Sequence, residues 1–413
     1  MTKDLASQVT LADIQAARER IRDGVALTPC PLSIPLSEAT GCEVYCKLEF
    51  LQRTGSFKER GARNALLLLD EEKRRRGVIA ASAGNHALAL AHHGSLLGIP
   101  VTVVMPTYAP LIKQTNCHRL GAKVIVQGSS FGEAKGLADE RVASEGLTYV
   151  HGYNDPGVIA GAGTLGLEVV EQVADADAVI IPLGGGGLAA GVSLAIKTLR
   201  PEIQLIGVQA ANATAFSAAI SAKEPVEVVT PPTLADGLAV SRAGALAVAI
   251  AAPRLSKIVT VSEAELAIAV VRLMQLEKSV VEGAGAAPLA ALLSGKLPGL
   301  AGKKVVLLLC GGNIDLTIVS RLIDAALVAD GRIARFTAEI SDRPGGLAKF
   351  AALLQELGVS VQDIVHDRTF CGPNVAAVNV LCTVETRDAE HLAELYQRLT
   401  AAGIRHFAHV GRE

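Results

Sequence analysis

A single lysine, Lys58, follows a glycine, a serine and a phenylalanine in the stretch from Thr54 to Ala62. A lysine amine becomes nucleophilic near neutral pH when burial or neighbouring positive charge lowers its pKa. Apolar Phe57 could contribute the burial, and Arg60 and Arg63 could contribute the charge. A lysine at the start of a helix is more often a solvated charge, so this stretch needs a second feature before it indicates catalysis.

The second feature is a run of four glycines, Gly184, Gly185, Gly186 and Gly187, which follows an apolar strand and precedes a helix that begins near Leu188. Residues without a Cβ atom let the backbone turn tightly and direct several N–H groups to one point at the positive end of a helix. Such an arrangement is typical of phosphate binding. The run matches neither the dinucleotide fingerprint nor the Walker loop, so we predict that it holds the single phosphate of a smaller cofactor.

A lysine that can bond to a carbonyl and a loop for one phosphate together favour pyridoxal phosphate, whose aldehyde is held by a lysine and whose ring withdraws electrons. The sequence also resembles the serine/threonine dehydratases, which share the pyridoxal-phosphate fold typified by the tryptophan synthase β chain. Five motifs carry this resemblance in order within residues 10–326: QRTGSFKERGARNALL (52–67), SAGNHALALA (82–91), GGGGLAAG (184–191), TLADGLAV (233–240) and CGGNIDL (310–316).

The resemblance implies a role for each candidate residue. Lys58 would be both the anchor of the cofactor and the general base that removes the Cα proton of the substrate. Phe57 would pack on the cofactor ring, Gly237 would approach the ring through its backbone, and Cys310 would face the ring nitrogen. The substrate carboxylate would be bound at the start of a helix by Ser82, Ala83, Gly84, Asn85 and His86. Asn85 would also contact the phenolic oxygen of the cofactor.

Several of these residues also fit a plain structural role. Residues 82–86 would form an ordinary helix start with Asn85 in the first turn. A buried free cysteine such as Cys310 is usually inert packing. Glu282 could belong to the pocket wall or be a solvated helix residue.

Two departures separate the chain from the serine racemases of this fold. Those enzymes place a serine, their base on the opposite face, where this chain has Ala83. They also bind a divalent cation through carboxylates in the segment that corresponds to residues 209–215, where this chain has none, so we predict no metal site. We therefore expect a threonine/serine ammonia-lyase; the alternatives are a hydroxyaspartate dehydratase, a serine racemase or a non-catalytic amino-acid sensor.

Apolar runs alternate with helical segments from Gly77 onward, which predicts β-α units and parallel sheets. We expect an α/β fold, the two-lobed tryptophan synthase β-like fold (fold type II), over residues 1–327. The small lobe would span about 50–155, and the large lobe about 1–49 and 156–327. The predicted strands are 44–48, 78–81, 101–105, 123–126, 147–150, 178–181, 204–208, 257–260 and 305–309.

The pattern changes after about Asp330 to the βαββαβ order of a ferredoxin-like domain. Residues 336–368 resemble an ACT domain, a small module that binds free amino acids. The resemblance implies a regulatory domain over 328–413 whose amino-acid effector would be contacted by Asp342, Arg343, Pro344, Gly345 and Gly346. A dimerisation module that binds nothing is the alternative.

Composition disfavours several other classes of protein. The net charge is −2 and no basic, aromatic-rich segment is present, so we expect no nucleic-acid partner. The 7 cysteines suggest neither a disulfide framework nor a C-x-x-C metal pair, and no secretory signal is evident, so we expect a cytoplasmic protein. The uncharged segment 178–196 contains Pro182 and the four glycines, which predicts a buried strand, turn and helix and no membrane partner. We expect a homodimer or homotetramer that acts on a small amino-acid substrate.

Overall fold

The structure is a computed structural model that describes residues 5–367 and 376–409. The chain divides into two compact units, Met1–Ile314 and Asp315–Glu413. The division falls before the helix Leu316–Ala329, whereas the boundary expected from the sequence falls near the end of that helix.

The N-terminal unit alternates strands and helices. Its strands are β1 (Leu32–Ser33), β2 (Glu43–Lys47), β3 (Val78–Ala81), β4 (Val101–Met105), β5 (Lys123–Val126), β6 (Thr148–Tyr149), β7 (Ala178–Pro182), β8 (Gln204–Ala210), β9 (Lys257–Val261) and β10 (Lys304–Leu308). Its helices are α1 (Leu11–Ile21), α2 (Ile34–Thr40), α3 (Lys58–Leu67), α4 (Glu71–Arg76), α5 (Asn85–Leu97), α6 (Leu111–Arg119), α7 (Phe131–Glu145), α8 (Pro156–Gln172), α9 (Gly187–Leu199), α10 (Ala215–Ala222), α11 (Ala245–Ala251), α12 (Glu263–Leu276) and α13 (Gly283–Leu293).

These strands form two sheets. The smaller sheet has the order β5-β4-β3-β6 and is parallel throughout. The larger sheet has the order β1-β2-β10-β7-β8-β9 and is parallel except at one edge, where β1 runs antiparallel to β2. Strands β3, β4 and β7 are buried along their whole length, as is typical of parallel sheets covered by helices. The predicted α/β architecture is confirmed.

Most predicted elements lie where the sequence places them. Strands β3, β4 and β5 have the predicted bounds, whereas β6 is shorter and β10 starts and ends one residue earlier. Segment 178–196 forms β7, a turn and α9, and within the described part of the chain no helix is both long and apolar enough to cross a membrane.

The carboxyl ends of four parallel strands lead to the predicted site. Strand β3 leads to Ser82, β7 leads to the run Gly184–Gly187, and β10 leads to Cys310. Strand β2 leads through the 3-10 turn Glu49–Leu51 to Lys58 at the start of α3. Parallel sheets bring such ends to a common edge, where ligands usually bind.

A buried network of four charges holds α3 in the unit. The guanidinium of Arg60, which is 1% exposed, donates to Glu49 Oε1 at 2.7 Å and to Glu168 Oε1 at 2.6 Å. Lys47 Nζ donates to Glu168 Oε2 at 2.5 Å. The charge of Arg60 is thus balanced by carboxylates, which is what a buried guanidinium requires.

The C-terminal unit has its own antiparallel sheet, in the order β12-β13-β11-β14. Its elements are α14 (Leu316–Ala329), β11 (Ile333–Ser341), α15 (Gly346–Leu357), β12 (Ser360–Asp367), β13 (Ala377–Glu385), α16 (Ala389–Ala401) and β14 (Arg405–Ala408). From β11 onward this is the predicted βαββαβ order, and Phe336, Phe350 and Leu395 are buried in its core. The sequence also predicts that β13 begins at Val375 and that β14 ends at Val410, and both residues lie outside the described part of the chain.

Candidate active site

Lys58 has the environment of a reactive amine. Its Nζ atom donates a hydrogen bond of 2.6 Å to the carbonyl of Gly152 and lies 5.1 Å from the centre of the Phe57 ring. Burial lowers the pKa of Lys58 from 10.5 to about 8, although the carboxylate of Glu282 opposes this shift. About one amine in ten is then neutral and nucleophilic at pH 7. Burial, rather than the expected charge of Arg60 and Arg63, causes the shift.

The glycine run forms the entry to α9, a helix that is buried over its first ten residues. Gly186 has a φ of +95°, which residues with a side chain rarely adopt, and no side chain caps the helix. The first N–H groups of a helix have no acceptor within it. Those of Gly187 and Leu188 are therefore available to an anion at the positive end of the helix dipole.

Neighbouring groups leave no space for side chains in this run. A Cβ atom at Gly185 would lie 2.5 Å from the ring of Tyr153, and one at Gly187 would lie 2.7 Å from the Tyr153 backbone. The residue before Tyr153 is Gly152, whose carbonyl accepts from Lys58. The segment Gly152-Tyr153 thus connects the lysine with the glycine run.

Residues 82–86 form the turn between β3 and α5. Ser82 Oγ accepts the N–H of Gly84 at 3.3 Å, and Ala83 and Asn85 are half-buried. The His86 ring is buried, and its Nε2 donates to the carbonyl of Val150 at 2.9 Å. Burial, together with the charge of Lys58, lowers the pKa of His86 to about 3. The imidazole is therefore neutral at pH 7, and what the helix start offers to a carboxylate is its backbone N–H groups.

Glu282 is a residue of the site to which sequence reasoning gave no firm role. It is 5% exposed at the residue before α13, and its Oε1 accepts from Asn85 Nδ2 at 2.7 Å. Asn85 Oδ1 in turn accepts from Asn313 Nδ2 at 2.9 Å. Burial and the negative charge of Asp236 raise the pKa of Glu282 from 4.5 to about 7. A carboxyl group that changes protonation near neutral pH is thus in contact with Asn85.

Cys310 lies next to the lysine turn, and Gly237 lies beside the carboxyl group of Glu282. The Cys310 carbonyl accepts the N–H of Phe57 at 3.0 Å, which places it next to the lysine turn. Burial raises the pKa of Cys310 well above its usual value, so its thiol is protonated. Gly237 is in the 3-10 turn Asp236–Leu238, and a Cβ atom on it would lie 3.4 Å from Glu282 Oε1.

Lys113 and Asp236 form an ion pair of 2.6 Å at the edge of this site. Lys113 belongs to α6, beside the smaller sheet, and Asp236 precedes Gly237. The pair therefore links α6 to the turn that contains Gly237.

Only one cluster among the described residues has the composition of a metal site. Donor atoms of Glu59, His92 and His93 lie within 4.8 Å of one another. Arg63 Nη1 lies 3.5 Å from His93 Nδ1, and because a guanidinium can only donate, Nδ1 is the acceptor and the proton is on Nε2. That protonated nitrogen faces Glu59 Oε2 at 3.2 Å, which fits a buried polar pair better than a metal centre.

The segment 209–215 holds no cation ligands of the kind described for the racemases. The buried side chain of Gln209 donates to the Ala213 carbonyl at 3.0 Å and accepts from the Ser217 N–H at 3.2 Å. These internal hydrogen bonds satisfy the amide.

In the C-terminal unit, the turn between β11 and α15 contains the predicted effector residues Asp342, Arg343, Pro344, Gly345 and Gly346. Gly345 has a φ of +91° and precedes the helix without a side-chain cap. Asp342 Oδ1 lies 3.9 Å from His366 Nε2 on the neighbouring segment β12. The turn therefore combines an uncapped helix start with a carboxylate.

The residues of the N-terminal site fit pyridoxal phosphate. A buried helix start without a side-chain cap suits a phosphate group. A lysine whose pKa is about 8 suits an aldehyde, and a protonated thiol suits the nitrogen of an uncharged pyridine ring.

Comparisons with known proteins agree with this chemistry. Residues 21–311 match the family model described as pyridoxal-phosphate dependent enzyme. An L-threonine ammonia-lyase of Thermotoga maritima is 43% identical over 395 residues, which cover 96% of this chain and 98% of that protein. The processed threonine deaminase isoform 2 of Solanum lycopersicum has a similar structure, with a TM-score of 0.74 and 33% identity over 79% of this chain and 94% of that one. A serine racemase of Dictyostelium discoideum gives a TM-score of 0.70 and 34% identity over 75% of this chain and 100% of that one.

The family match spans the lysine turn, the glycine run and Cys310. The relative from Thermotoga maritima extends the similarity through the C-terminal unit. The chain therefore belongs to the family of pyridoxal-phosphate-dependent enzymes.

Proposed function

We propose that the chain is a threonine ammonia-lyase, which converts L-threonine to 2-oxobutyrate and ammonia and also converts L-serine to pyruvate. The observation that carries this proposal is the buried Lys58, whose pKa is lowered to about 8 beside a phosphate-type glycine run. The substrate is inferred from the 43% identity to an L-threonine ammonia-lyase over nearly the full length of both chains.

The cofactor would be held by residues from four strand ends. Gly184–Gly187 and the first turn of α9 would hold its phosphate, Phe57 would pack on its ring, and Cys310 would donate to the ring nitrogen. When bound, pyridoxal phosphate supplies an electron-withdrawing ring next to the Cα atom of the substrate. A neutral thiol donor leaves that ring less electron-withdrawing than a carboxylate partner would, which suits rapid elimination.

Lys58 performs the proton chemistry. Its amine would hold the aldehyde of the cofactor, and burial keeps the amine partly neutral at pH 7 whenever it is free. Nζ then removes the Cα proton, and the electron pair of that C–H bond forms the Cα–Cβ double bond as the hydroxyl leaves Cβ. The leaving hydroxyl takes up a proton equivalent to the one removed from Cα, so that the two depart together as water. The enamine product later gains one water and loses ammonia in solution, which gives the 2-oxo acid.

The start of α5 orients the substrate. Backbone N–H groups of residues 82–86 bind its carboxylate at the positive end of the helix dipole. The carboxylate and the cofactor then fix two points of the substrate, so the Cα–H bond is directed toward Lys58.

A serine racemase is the second candidate, because such an enzyme of Dictyostelium discoideum has a similar structure. Racemisation needs a second acid-base group on the opposite face of the substrate. This chain has Ala83 at the position where the racemases have a serine, and an alanine cannot transfer a proton. Lyase activity is therefore the favoured function, and accumulation of D-serine from L-serine would favour the racemase.

The C-terminal unit is proposed to be an ACT regulatory domain, residues 328–413, that follows the catalytic domain, residues 1–327. Its amino-acid effector would bind the turn at Asp342 and Gly345, where an uncapped helix start can receive a carboxylate and Asp342 can receive an amine. Such an effector changes activity only if it binds two states of the enzyme with different affinities. A homodimer or homotetramer in the cytoplasm stays a prediction from the sequence.

The test is the visible absorption spectrum of the purified protein before and after addition of L-threonine, with 2-oxobutyrate measured in parallel. We expect a yellow protein whose spectrum changes on mixing while 2-oxobutyrate appears. Lys58→Ala should abolish product formation, whereas Lys135→Ala, an exchange on the surface helix α7, should not. A protein that stays colourless with added pyridoxal phosphate would exclude the lyase and favour the amino-acid sensor.

A further inference from the structure

One side chain, Asn313, connects three segments of the site. Its Nδ2 atom lies 2.7 Å from the carbonyl oxygen of Thr54 and 2.9 Å from Oδ1 of Asn85. Thr54 precedes the turn that carries Lys58, and Asn85 begins α5. Asn313 itself follows β10 and Cys310, so a single amide group joins all three.

The hydrogen-bond partners of Asn313 fix the orientation of two side-chain amides, that of Asn313 and that of Asn85. The carbonyl of Thr54 can only accept a hydrogen bond, so the atom of Asn313 that faces it must be the nitrogen. The same nitrogen donates its second hydrogen to Asn85, whose facing atom must then be Oδ1. The nitrogen of Asn85 is consequently directed to the other side, where it donates to Glu282 Oε1 at 2.7 Å.

The acceptor on Thr54 is itself held in place. The N–H of the same residue donates to Glu59 Oε1, and Glu59 is 1% exposed. Gly55 has a φ of +78°, and a Cβ atom on it would lie 2.6 Å from Asn313 Oδ1. The turn before Lys58 is therefore shaped to receive the Asn313 amide in one orientation.

The second amide hydrogen of Asn85 has no acceptor among the described residues. It is thus available to an acceptor on a bound molecule. With the aldehyde of pyridoxal phosphate on Lys58 and its phosphate at the glycine run, the acceptor next to the aldehyde is the ring oxygen.

We propose that Asn313 is a positioning residue that directs the Asn85 nitrogen, rather than the Asn85 oxygen, toward the ring oxygen of bound pyridoxal phosphate. This inference rests on the cofactor of the proposed function. Asn313 does not touch the cofactor in this scheme, and its effect on the ring oxygen passes through Asn85.

The test exchanges the donor for an acceptor at constant size. In Asn313→Asp, an oxygen replaces Nδ2 opposite Thr54 and Asn85, so the Asn85 amide turns its nitrogen toward the new carboxylate. The ring oxygen then faces an acceptor instead of a donor. We expect the dissociation constant of pyridoxal phosphate, measured by absorbance titration of cofactor-free protein, to rise about 10- to 100-fold, the range for one lost hydrogen bond to a charged group.

A double-mutant cycle distinguishes a positioning role of Asn313 from a general loss of stability. In an Asn85→Ala background, Asn313→Asp should change the dissociation constant less than threefold, because the residue through which it acts is absent. The matched control is Asn64→Asp, since buried Asn64 also donates through Nδ2 to a backbone carbonyl, that of Gly157, at 2.7 Å. It should lower the thermal midpoint without a change in cofactor affinity. Asn313→Ala provides a second variant if the carboxylate prevents folding, and it should weaken binding in the same direction.

Equal affinity for pyridoxal phosphate in the wild type and in both folded Asn313 variants would overturn the inference. So would a double-mutant cycle in which the effects of Asn85→Ala and Asn313→Asp on that affinity are fully additive. A wild-type protein that binds no pyridoxal phosphate would instead refute the proposed function itself.

Discussion

Asn85 and Glu282 are 197 positions apart in the sequence, yet Asn85 Nδ2 donates to Glu282 Oε1 at 2.7 Å. The contact joins the start of α5, beside the smaller sheet, to the start of α13, beside the larger one. Because burial raises the pKa of Glu282 to about 7, the protonation of this contact changes near neutral pH.

Glu282 should make the cofactor-free protein less stable as the pH rises. Between pH 4.5 and about 7 the unfolded chain has lost a proton that the folded protein keeps, so the free energy of unfolding falls with pH. The total loss is about 3 kcal/mol for a pKa shift of this size. Glu282→Gln cannot lose a proton, so its stability advantage over the wild type should grow from pH 4.5 to pH 8 in urea unfolding. Glu19→Gln, at an exposed position, is the control, and its difference in free energy of unfolding from the wild type should not change with pH. If the difference for Glu282→Gln is also independent of pH, the expected titration is refuted.

The rate of cofactor uptake should follow the neutral fraction of Lys58. With a pKa of about 8, lowered by burial, that fraction rises with pH and reaches half near pH 8. Stopped-flow absorbance of cofactor-free protein mixed with pyridoxal phosphate should show a rate that increases about tenfold from pH 7 to pH 9 and then levels off. Free lysine serves as the control, and its rate should continue to rise. If the rate for the protein also rises steadily to pH 10, the pKa of Lys58 is not lowered.

Gly186→Ala should weaken cofactor binding much more than a glycine exchange elsewhere. The added Cβ atom would lie 2.6 Å from the Phe216 ring at a φ of +95°, so the glycine run must shift. We expect the affinity for pyridoxal phosphate to fall at least about tenfold. The control is Gly41→Ala, at a φ of +68° with no heavy atom within 4 Å, which should cost about 1–2 kcal/mol of stability and no affinity. Equal affinities of the two variants would argue against a phosphate at this loop.

Arg60→Met should lower the free energy of unfolding by about 3–5 kcal/mol, because it leaves the buried carboxylate of Glu49 without its cation. Arg22→Met removes an exposed ion pair with Glu19 and should cost about 0–1 kcal/mol. Urea unfolding followed by circular dichroism compares the two. Similar small losses would show that the network of Lys47, Glu49, Arg60 and Glu168 contributes little to stability.

The parts of the fold that depend on residues close together in the sequence could be predicted. The apolar runs of β3, β4 and β5 lie between turn residues, so their bounds are correct. Lys58 and the glycine run are each local patterns, and the resemblance of five motifs links them. The capping boxes of α1, at Thr10 and Asp13, and of α12, at Ser262 and Glu265, also lie within a single turn of chain.

Contacts between distant segments could not be predicted. The two valines before Glu282 are compatible with a pocket wall and with a surface helix, and only the folded chain brings its carboxyl group to Asn85. Arg60 was expected to lower the pKa of Lys58, but Glu49 and Glu168 balance its charge. His86 was expected among the carboxylate ligands, but its ring is directed to the Val150 carbonyl. Whether its backbone N–H binds substrate stays a prediction.

The position of β10 has a consequence for synthesis on the ribosome. In the larger sheet, β10 lies between β2 and β7, although it is the last of these strands to be made. Until residue 308 has left the exit tunnel, β2 and β7 each have an unpaired edge that can bind other chains. We therefore expect the nascent N-terminal unit to depend on chaperones until late in translation, and a messenger truncated before β10 to yield aggregates rather than a smaller folded enzyme.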